Sequence, residues 1–480
     1  KNVAKFNAAK GVNVKRENNL GTDKIFPLLL KLTIPSMIAQ FVNVLYGIVD
    51  RIYISNIADI GNLALAGVGV CAPIVTLITS FCYLIALGGA PLIAIKLGEG
   101  NKQQAQKIMA NCFVSLLVTS VVITIVFLCV KNPMLRAFGA SPNIFGYANE
   151  YLTIYLYGTV FALLSLGLNS FITCQGFSKI AMASIFVGAI SNIILDPIFI
   201  FTFKLGVKGA AIATVISQAL SCLWVMSFLL GKRSQVHLSF KNLDFRVVKK
   251  VMSLGVSPFF IMMTESVIII GLNAVLQKFG GAEGDNLIAG ATIAVSFMQL
   301  IIMPLGGITM GAQPVISFNF GAKQFERITL AFKYLLVLCF IFLAVMFTIA
   351  MTMSQYFIKI FTDDQTISQI AMKGIKYYTY GILFLTFQYP IVDAFTALGC
   401  AKHAIFLSLI RKLGFLLPLT FILPIFYGAM SAFLAETIAD IIGGTLSIIV
   451  FVISIKRIYR RREAENTIGE LEPVQLKVEQ

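Results

Sequence analysis

Residues 89–98 read GAPLIAIKLG, and residues 312–321 read AQPVISFNFG. Proline stands third and glycine last in both, and a shift of 223 positions takes Pro91 to Pro314 and Gly98 to Gly321. The same shift takes Pro35 of LTIPSM to Pro258 of GVSPFF, Phe138 to Phe361 and Tyr157-Gly158 to Tyr380-Gly381. It also takes Gly176 and Lys179 of QGFSK to Gly399 and Lys402 of LGCAK. One offset serves about 145 residues without a gap, which chance similarity does not produce. Later the register slips, and Gly209 of VKGAA pairs with Gly428 of YGAMS. The chain is a duplication.

Composition sets the solvent in which these halves fold. Hydrophobic residues make up 58% of the chain and charged residues only 12%, with mean hydropathy +0.86. A soluble chain cannot hide that much apolar surface. About twelve apolar stretches reach the roughly 20 residues that cross a bilayer as a helix. They cover 26–54, 62–90, 104–130, 147–172, 181–203, 207–230, 250–278, 286–310, 325–351, 368–397, 403–425 and 428–455. Backbone groups in lipid must bond internally, so the fold class is an all-α polytopic membrane protein. Six crossings per half is an even number, so both halves enter the membrane in the same sense, related by an axis along its normal. Secondary transporters often follow this plan, with the substrate between the halves. The predicted organisation is a tail over 1–25, a first lobe over 26–230 and a linker over 231–249. A second lobe over 250–455 and a tail over 456–480 complete it.

The net charge of +16 is unevenly placed. Lys and Arg gather in alternate loops: the first stretch, NKQQAQK, GKRSQVHLSFKNLDFRVVKK, GAKQFER and KRIYRRRE. That is the positive-inside pattern, and it predicts a multi-pass protein of a bacterial cytoplasmic membrane with both termini in the cytoplasm. Basicity here orients helices and argues against a nucleic-acid partner. The eight cysteines form no CxxC pair and read as small core residues. No phosphate loop, HExxH, GxSxG or zinc spacing is present, so the expectation is no cofactor, no enzyme and a gradient as the energy source. His237 and His403 fall in linkers and read as surface residues.

The stretch NIILDPIFIF, 192–201, carries a carboxylate inside an apolar run. At about 1.5 Å rise per residue, Asp196 lies roughly 10 Å below the outer surface of the fifth crossing. Thr214 on the sixth crossing reaches similar depth, Asp50 and Tyr151 lie somewhat higher, and Asn192 sits one turn below Asp196 on the same face. Four crossings thus bring polar groups to one level of one half. An ionised carboxylate in hydrocarbon costs about 2.5–3.5 kcal/mol and needs compensation. Removal from water disfavours the charged form of a carboxyl group, and a neighbouring carboxylate disfavours it further. Two such acids can share a proton or trade it for sodium, which carboxylate, amide and hydroxyl oxygens suit. Pro197 weakens the helix ladder beside Asp196 and allows a bend.

The second half carries Glu265, Asp393, Glu436 and Asp440 within apolar runs, Glu436 and Asp440 one turn apart on one face. Arg411 and Lys412 stand about eight residues into the eleventh crossing, at a depth that suits Asp393 or Asp440. Either the two bases neutralise the acids in a structural cluster, or four acids against two bases leave negative character for a cation. Asp50 has no counterpart, since its repeat partner is Asn273.

IPSMIAQFVNVLYGIVDRIYIS in the first crossing, GGAPLIAIKLGEGN after the second and SNIILDPIFIF in the fifth resemble the multidrug and toxic compound extrusion (MATE) family over roughly 25–455. The resemblance implies a V-shaped, two-lobe fold of twelve helices and antiport of H⁺ or Na⁺ against organic, usually cationic, substrates. It implies that Asp50, Tyr151, Asn192, Asp196 and Thr214 match a cation-coupling network, and that Asn43 and Asn169 match substrate-cavity positions. Glu265 with Tyr389 and Asp393 matches a second-lobe cation site. Arg51 departs from the pattern, which usually has threonine there; one residue along a helix points about 100° away, so it can reach outer headgroups. No family template covers Arg411 and Lys412. The implied partners are small organic cations or drugs and the lipid bilayer, for a monomer. The alternative within transport is a flippase for lipid-linked saccharides, which needs a basic cavity. A membrane-embedded enzyme needs a nucleophile or metal constellation, and the sequence offers none.

Overall fold

The computed structural model describes residues 18–464 apart from 59, 139 and 241, so most of the predicted tails 1–25 and 456–480 lies outside the described residues or at their edge. The first half is built from α1 (Ile25–Ser55), α2 (Gly61–Gly98), α3 (Lys102–Ala137), α4 (Pro142–Tyr157), α5 (Thr159–Cys174), α6 (Ser178–Pro197) and α7 (Val207–Leu230). The second has α8 (Phe245–Gly280), α9 (Gly284–Gly321), α10 (Phe325–Thr352), the short α11 (Ser354–Ile358), α12 (Gln365–Thr379) and α13 (Leu385–Ala397). It ends with α14 (Ala401–Leu409), α15 (Leu417–Tyr427) and α16 (Leu434–Ala464). Polar residues start several of them: Asn101 accepts from Gln104 N at 3.0 Å, Asp244 from Arg246 N and Asp364 from Ile367 N, both at 2.9 Å.

Among the described residues ten spans are long and apolar enough to cross a membrane, and α4 with α5, bent by 57°, makes an eleventh. The predicted crossing 368–397 needs correction. It is two helices, α12 and α13, parted by a short 3₁₀ turn at Ile382–Phe384. The break has a local cause. Gly381 N–H donates to Thr437 Oγ1 at 3.2 Å, and a Cβ at Gly381 would strike the Thr437 backbone of α16. Gly158, its repeat partner, is likewise pressed against Val215 and marks the bend between α4 and α5. Both halves break their fourth crossing at the same Tyr-Gly pair.

The halves meet through α1, α2, α8 and α9, with α1 lying along α9 and α2 along α8. Packing reports a pseudo-twofold axis. A Cβ on Gly98 would strike the Phe318 carbonyl, and one on Gly321 would strike the Ile95 carbonyl. Farther in, Gly255 is pressed against Leu84 O of α2, while Gly307 is pressed against Ser36 of α1. Exchange of core is also reciprocal. Leu28, Leu29 and Leu32 at the start of α1 belong to the second half's core, and Val251 and Leu254 at the start of α8 belong to the first half's.

The end carrying the described termini is further tied. Asn18 donates to Gly176 O at 2.9 Å, while Leu20 O accepts from Asn319 at 3.0 Å and from Arg327 at 3.2 Å, so one stretch joins both halves. Glu99 at the end of α2 pairs with Lys96 at 2.6 Å and with Arg462 of α16. Burial works against ionisation of Glu99, but these two cations hold its carboxyl below the usual range. Because the backbones touch at Gly98, Gly98→Val should cost about 1–3 kcal/mol or more by overpacking. Gly47 has open space around it, so Gly47→Ala in the same thermal unfolding assay should be neutral or mildly stabilising.

Candidate functional site

In the first half the polar groups converge as the sequence predicts for Asp50, Asn192 and Asp196. Asn192 Nδ2 donates to Asp196 Oδ1 at 3.1 Å across one turn of α6. The Asp50 carboxyl of α1 and the Asp196 carboxyl of α6 lie within hydrogen-bonding reach of each other. Two carboxyl groups in that arrangement attract only when they share a proton or enclose a cation, so they titrate as a unit. Asp196 is 0% exposed and Asn192 2%. Pro197 closes α6, and the chain continues without a break as a wide π turn over Ile198–Thr202. Arg51 points to the exposed side and forms no ion pair with Asp50 among the described residues.

The cluster differs in membership from the prediction. Tyr151 of α4 is buried and stacks on Tyr155 with ring centroids 6.5 Å apart, beside Asp50 and not hydrogen-bonded to it. Thr214 of α7 is half-buried and donates to neither acid. The residues one turn deeper on each of those helices take part instead. Tyr155 stands beside Gln218 of α7 and Thr79 of α2, and Tyr46 of α1 is near enough to both acids to feel their charge. Sequence reasoning missed Tyr46, Tyr155 and Gln218, although each stands four residues from a residue it named, on the same helical face. Asp50 Oδ1, Asp196 Oδ2 and Asn192 Oδ1 are buried without a hydrogen-bond partner. Unpartnered buried oxygens are uncommon, and such a concentration of acceptors suits a proton or a hard monovalent cation.

A separate, partly open pocket lies between the halves, lined by α1, α2, α5, α6 and α9. Asn169 lines it as predicted, donating to Ala181 O at 2.7 Å and to Ser184 Oγ at 2.6 Å. Asn43 is not on its wall; it donates to Gln40 at 3.2 Å, and Gln40 is the lining residue. Gln313 and the repeat-related pair Pro91 and Pro314 complete the lining, which contains no charged side chain among the described residues.

The second-half acids are not one site. Arg411 Nε donates to Asp440 Oδ1 at 2.9 Å, and its Nη2 donates to Asp440 Oδ1 at 2.6 Å and Glu436 Oε1 at 2.7 Å. Lys412 pairs with Glu265, and Tyr389 is held near Arg411 and these acids. Asp393 stands apart, near Thr309 and near Gln313 of the pocket wall. Glu265 is therefore not grouped with Asp393, and of the two acids whose depth suited the bases, Asp440 is the one that pairs. Depth along separate helices does not fix which way each face turns. Both bases are buried, and both stand on the π segment Ile410–Leu416.

A model of the MatE family matches twice, over residues 35–198 and 259–422, in agreement with the duplication. The chain is 25% identical over 432 residues to the Multidrug export protein MepA of Staphylococcus haemolyticus, covering 89% of this chain and 93% of that one. The MepA of Staphylococcus aureus strain NCTC 8325 is 23% identical over 421 residues, with 87% and 91% covered. A solved outward-facing conformation of a multidrug resistance MATE family transporter of the MOP superfamily superposes with a TM-score of 0.85 at 23% identity, over 94% of this chain and 99% of that one. A MOP superfamily transporter from Pyrococcus furiosus, whose binding pocket is described as of reverse polarity, reaches 0.84 at 23% identity, with 94% and 98% covered. These structures share the two-lobe, twelve-crossing fold.

Proposed function

The chain belongs to the MatE family and is a multi-pass membrane transporter, not an enzyme, and from that premise we propose that it exports chemically diverse organic cations in exchange for H⁺ or Na⁺. The observation that carries the reading is the pair Asp50 and Asp196, touching each other among buried oxygens that lack partners. A site so arranged binds a proton or a small cation and cannot stay empty and charged at low cost. The neutral, polar cavity between the halves supports a substrate of moderate polarity, held by amides such as Asn169, Gln40 and Gln313.

In this cycle the carboxyl pair loads its ion from the outer side, and the π turn after Pro197 and the α6 segment around Asp196 change pitch. The halves rock about the Gly98/Gly321 crossing, substrate leaves, and ion release toward the cytoplasm resets the pump. Both termini lie in the cytoplasm, the membrane is the bacterial cytoplasmic one, and the working unit is a monomer. The saccharide-flippase reading draws no support from a cavity without basic side chains. The test uses purified protein in vesicles with a fluorescent organic cation and imposes a proton gradient and a sodium gradient separately. Accumulation driven by one of them is expected. Transport indifferent to both removes the reading.

A further inference from the structure

Glu265, Glu436 and Asp440 meet Arg411 and Lys412 in the second half. Three carboxylates against two cations leave net negative character, and Asp440 Oδ2, in a residue 0% exposed, has no hydrogen-bond partner. Left to its acids alone, such a cluster draws in a free monovalent cation, because uncompensated carboxylates there are costly. Local structure supplies the compensation from within the chain. Arg411 and Lys412 are neighbours on the π segment Ile410–Leu416 and reach the cluster from one place, Arg411 toward Glu436 and Asp440 of α16 and Lys412 toward Glu265 of α8. Gly443 of α16 makes room, since a Cβ there would lie 3.1 Å from the Arg411 stem. A guanidinium then bridges two carboxylates that stand one helical turn apart, and an ammonium sits on the third.

We infer that Arg411 and Lys412 are tethered occupants of a cation site: their head groups hold the positions a free monovalent cation would take, so the second half exchanges no metal cation. The inference rests on the reading that a cation gradient drives transport, and it assigns the choice of driving ion to the first half. The two occupants differ in how replaceable they are. Arg411 is 4% exposed and its partners 11% and 0%, whereas Lys412 sits on a Glu265 side chain that is 42% exposed. Removing the Lys412 ammonium therefore opens a carboxylate that solution ions can reach.

The test is ion-specific thermal stabilisation of the purified full chain in sodium chloride against choline chloride at equal ionic strength. Lys412→Met should gain a sodium-specific rise in Tm of about 2 °C or more, and Lys412→Met with Glu265→Gln should lose it. In the wild type, any sodium response should vanish in Asp196→Asn and persist in Glu265→Gln. A folded Lys412→Met without the gain overturns the inference. So does a wild-type sodium response that survives Asp196→Asn and disappears in Glu265→Gln. If Lys412→Met does not fold, sodium-22 binding to the wild type decides: retention that only Glu265→Gln abolishes overturns the inference, and retention unaffected by Glu265→Gln, or none, supports it. No transport step enters these measurements, so failure of gradient-driven export would strike the proposed function and leave this result standing.

Discussion

Replacing Asp196 by asparagine is expected to leave a folded, membrane-inserted protein that no longer concentrates substrate against a gradient. Asparagine keeps the size of the side chain and an oxygen for the Asn192 amide, which now donates to Asp196 Oδ1. It removes the exchangeable charge. A ligand shifts a two-state equilibrium only by its differential affinity, and inverting a 1:99 population takes about 10⁴-fold. Without an ionisable group at this position the ion has no such preference, so gradient-driven export should fall by about two orders of magnitude, to the level of empty vesicles. Substrate binding should change little, because the cavity around Asn169 and Gln313 is a separate space. Asp50→Asn should show the same loss. Export at the wild-type rate by a demonstrably folded Asp196→Asn would remove the coupling mechanism.

The largest stability effect should come from Arg411→Met. Methionine fills the volume but leaves Asp440 and Glu436 facing each other in a buried site, where breaking a pair by removing one partner costs about 3–5 kcal/mol. The loss should appear as a lowered unfolding midpoint with no change of secondary structure beforehand. Neutralising the acids as well, with Glu436→Gln and Asp440→Asn, should restore most of it, since a matched neutral set carries no stranded charge. If Arg411→Met alone unfolds at the wild-type midpoint, the guanidinium is not the compensating charge and the orphaned Asp440 Oδ2 must be explained otherwise.

The sequence made the fold legible through two signals, apolar length and the 223-residue repeat. Gly98 and Gly321 were visible as matched letters, and their physical reason is the close crossing at which each meets the backbone of the other's helix. Tyr157-Gly158 and Tyr380-Gly381 were matched too, but nothing in the letters says that the chain breaks there. The break depends on Val215 and Thr437 pressing in from distant helices. At the site, i and i+4 spacing found Asn192 with Asp196 directly, because one helix sets that geometry. Contacts between helices were harder. Gln218 in place of Thr214, and Gln40 in place of Asn43, are displacements of about one turn, the size of error that depth counting allows. Arg411 and Lys412 were legible as charges needing partners, with Asp440 one of the two acids at a suitable depth, but that Arg411 also takes Glu436 and that Lys412 takes Glu265 depends on how separate helices face each other.

The reciprocal placement of Leu28, Leu29 and Leu32 in one core and Val251 and Leu254 in the other means that neither six-crossing unit is self-sufficient. Expressed alone, each is left with an apolar wedge and a gap of matching shape, which a second copy of the same unit can fill.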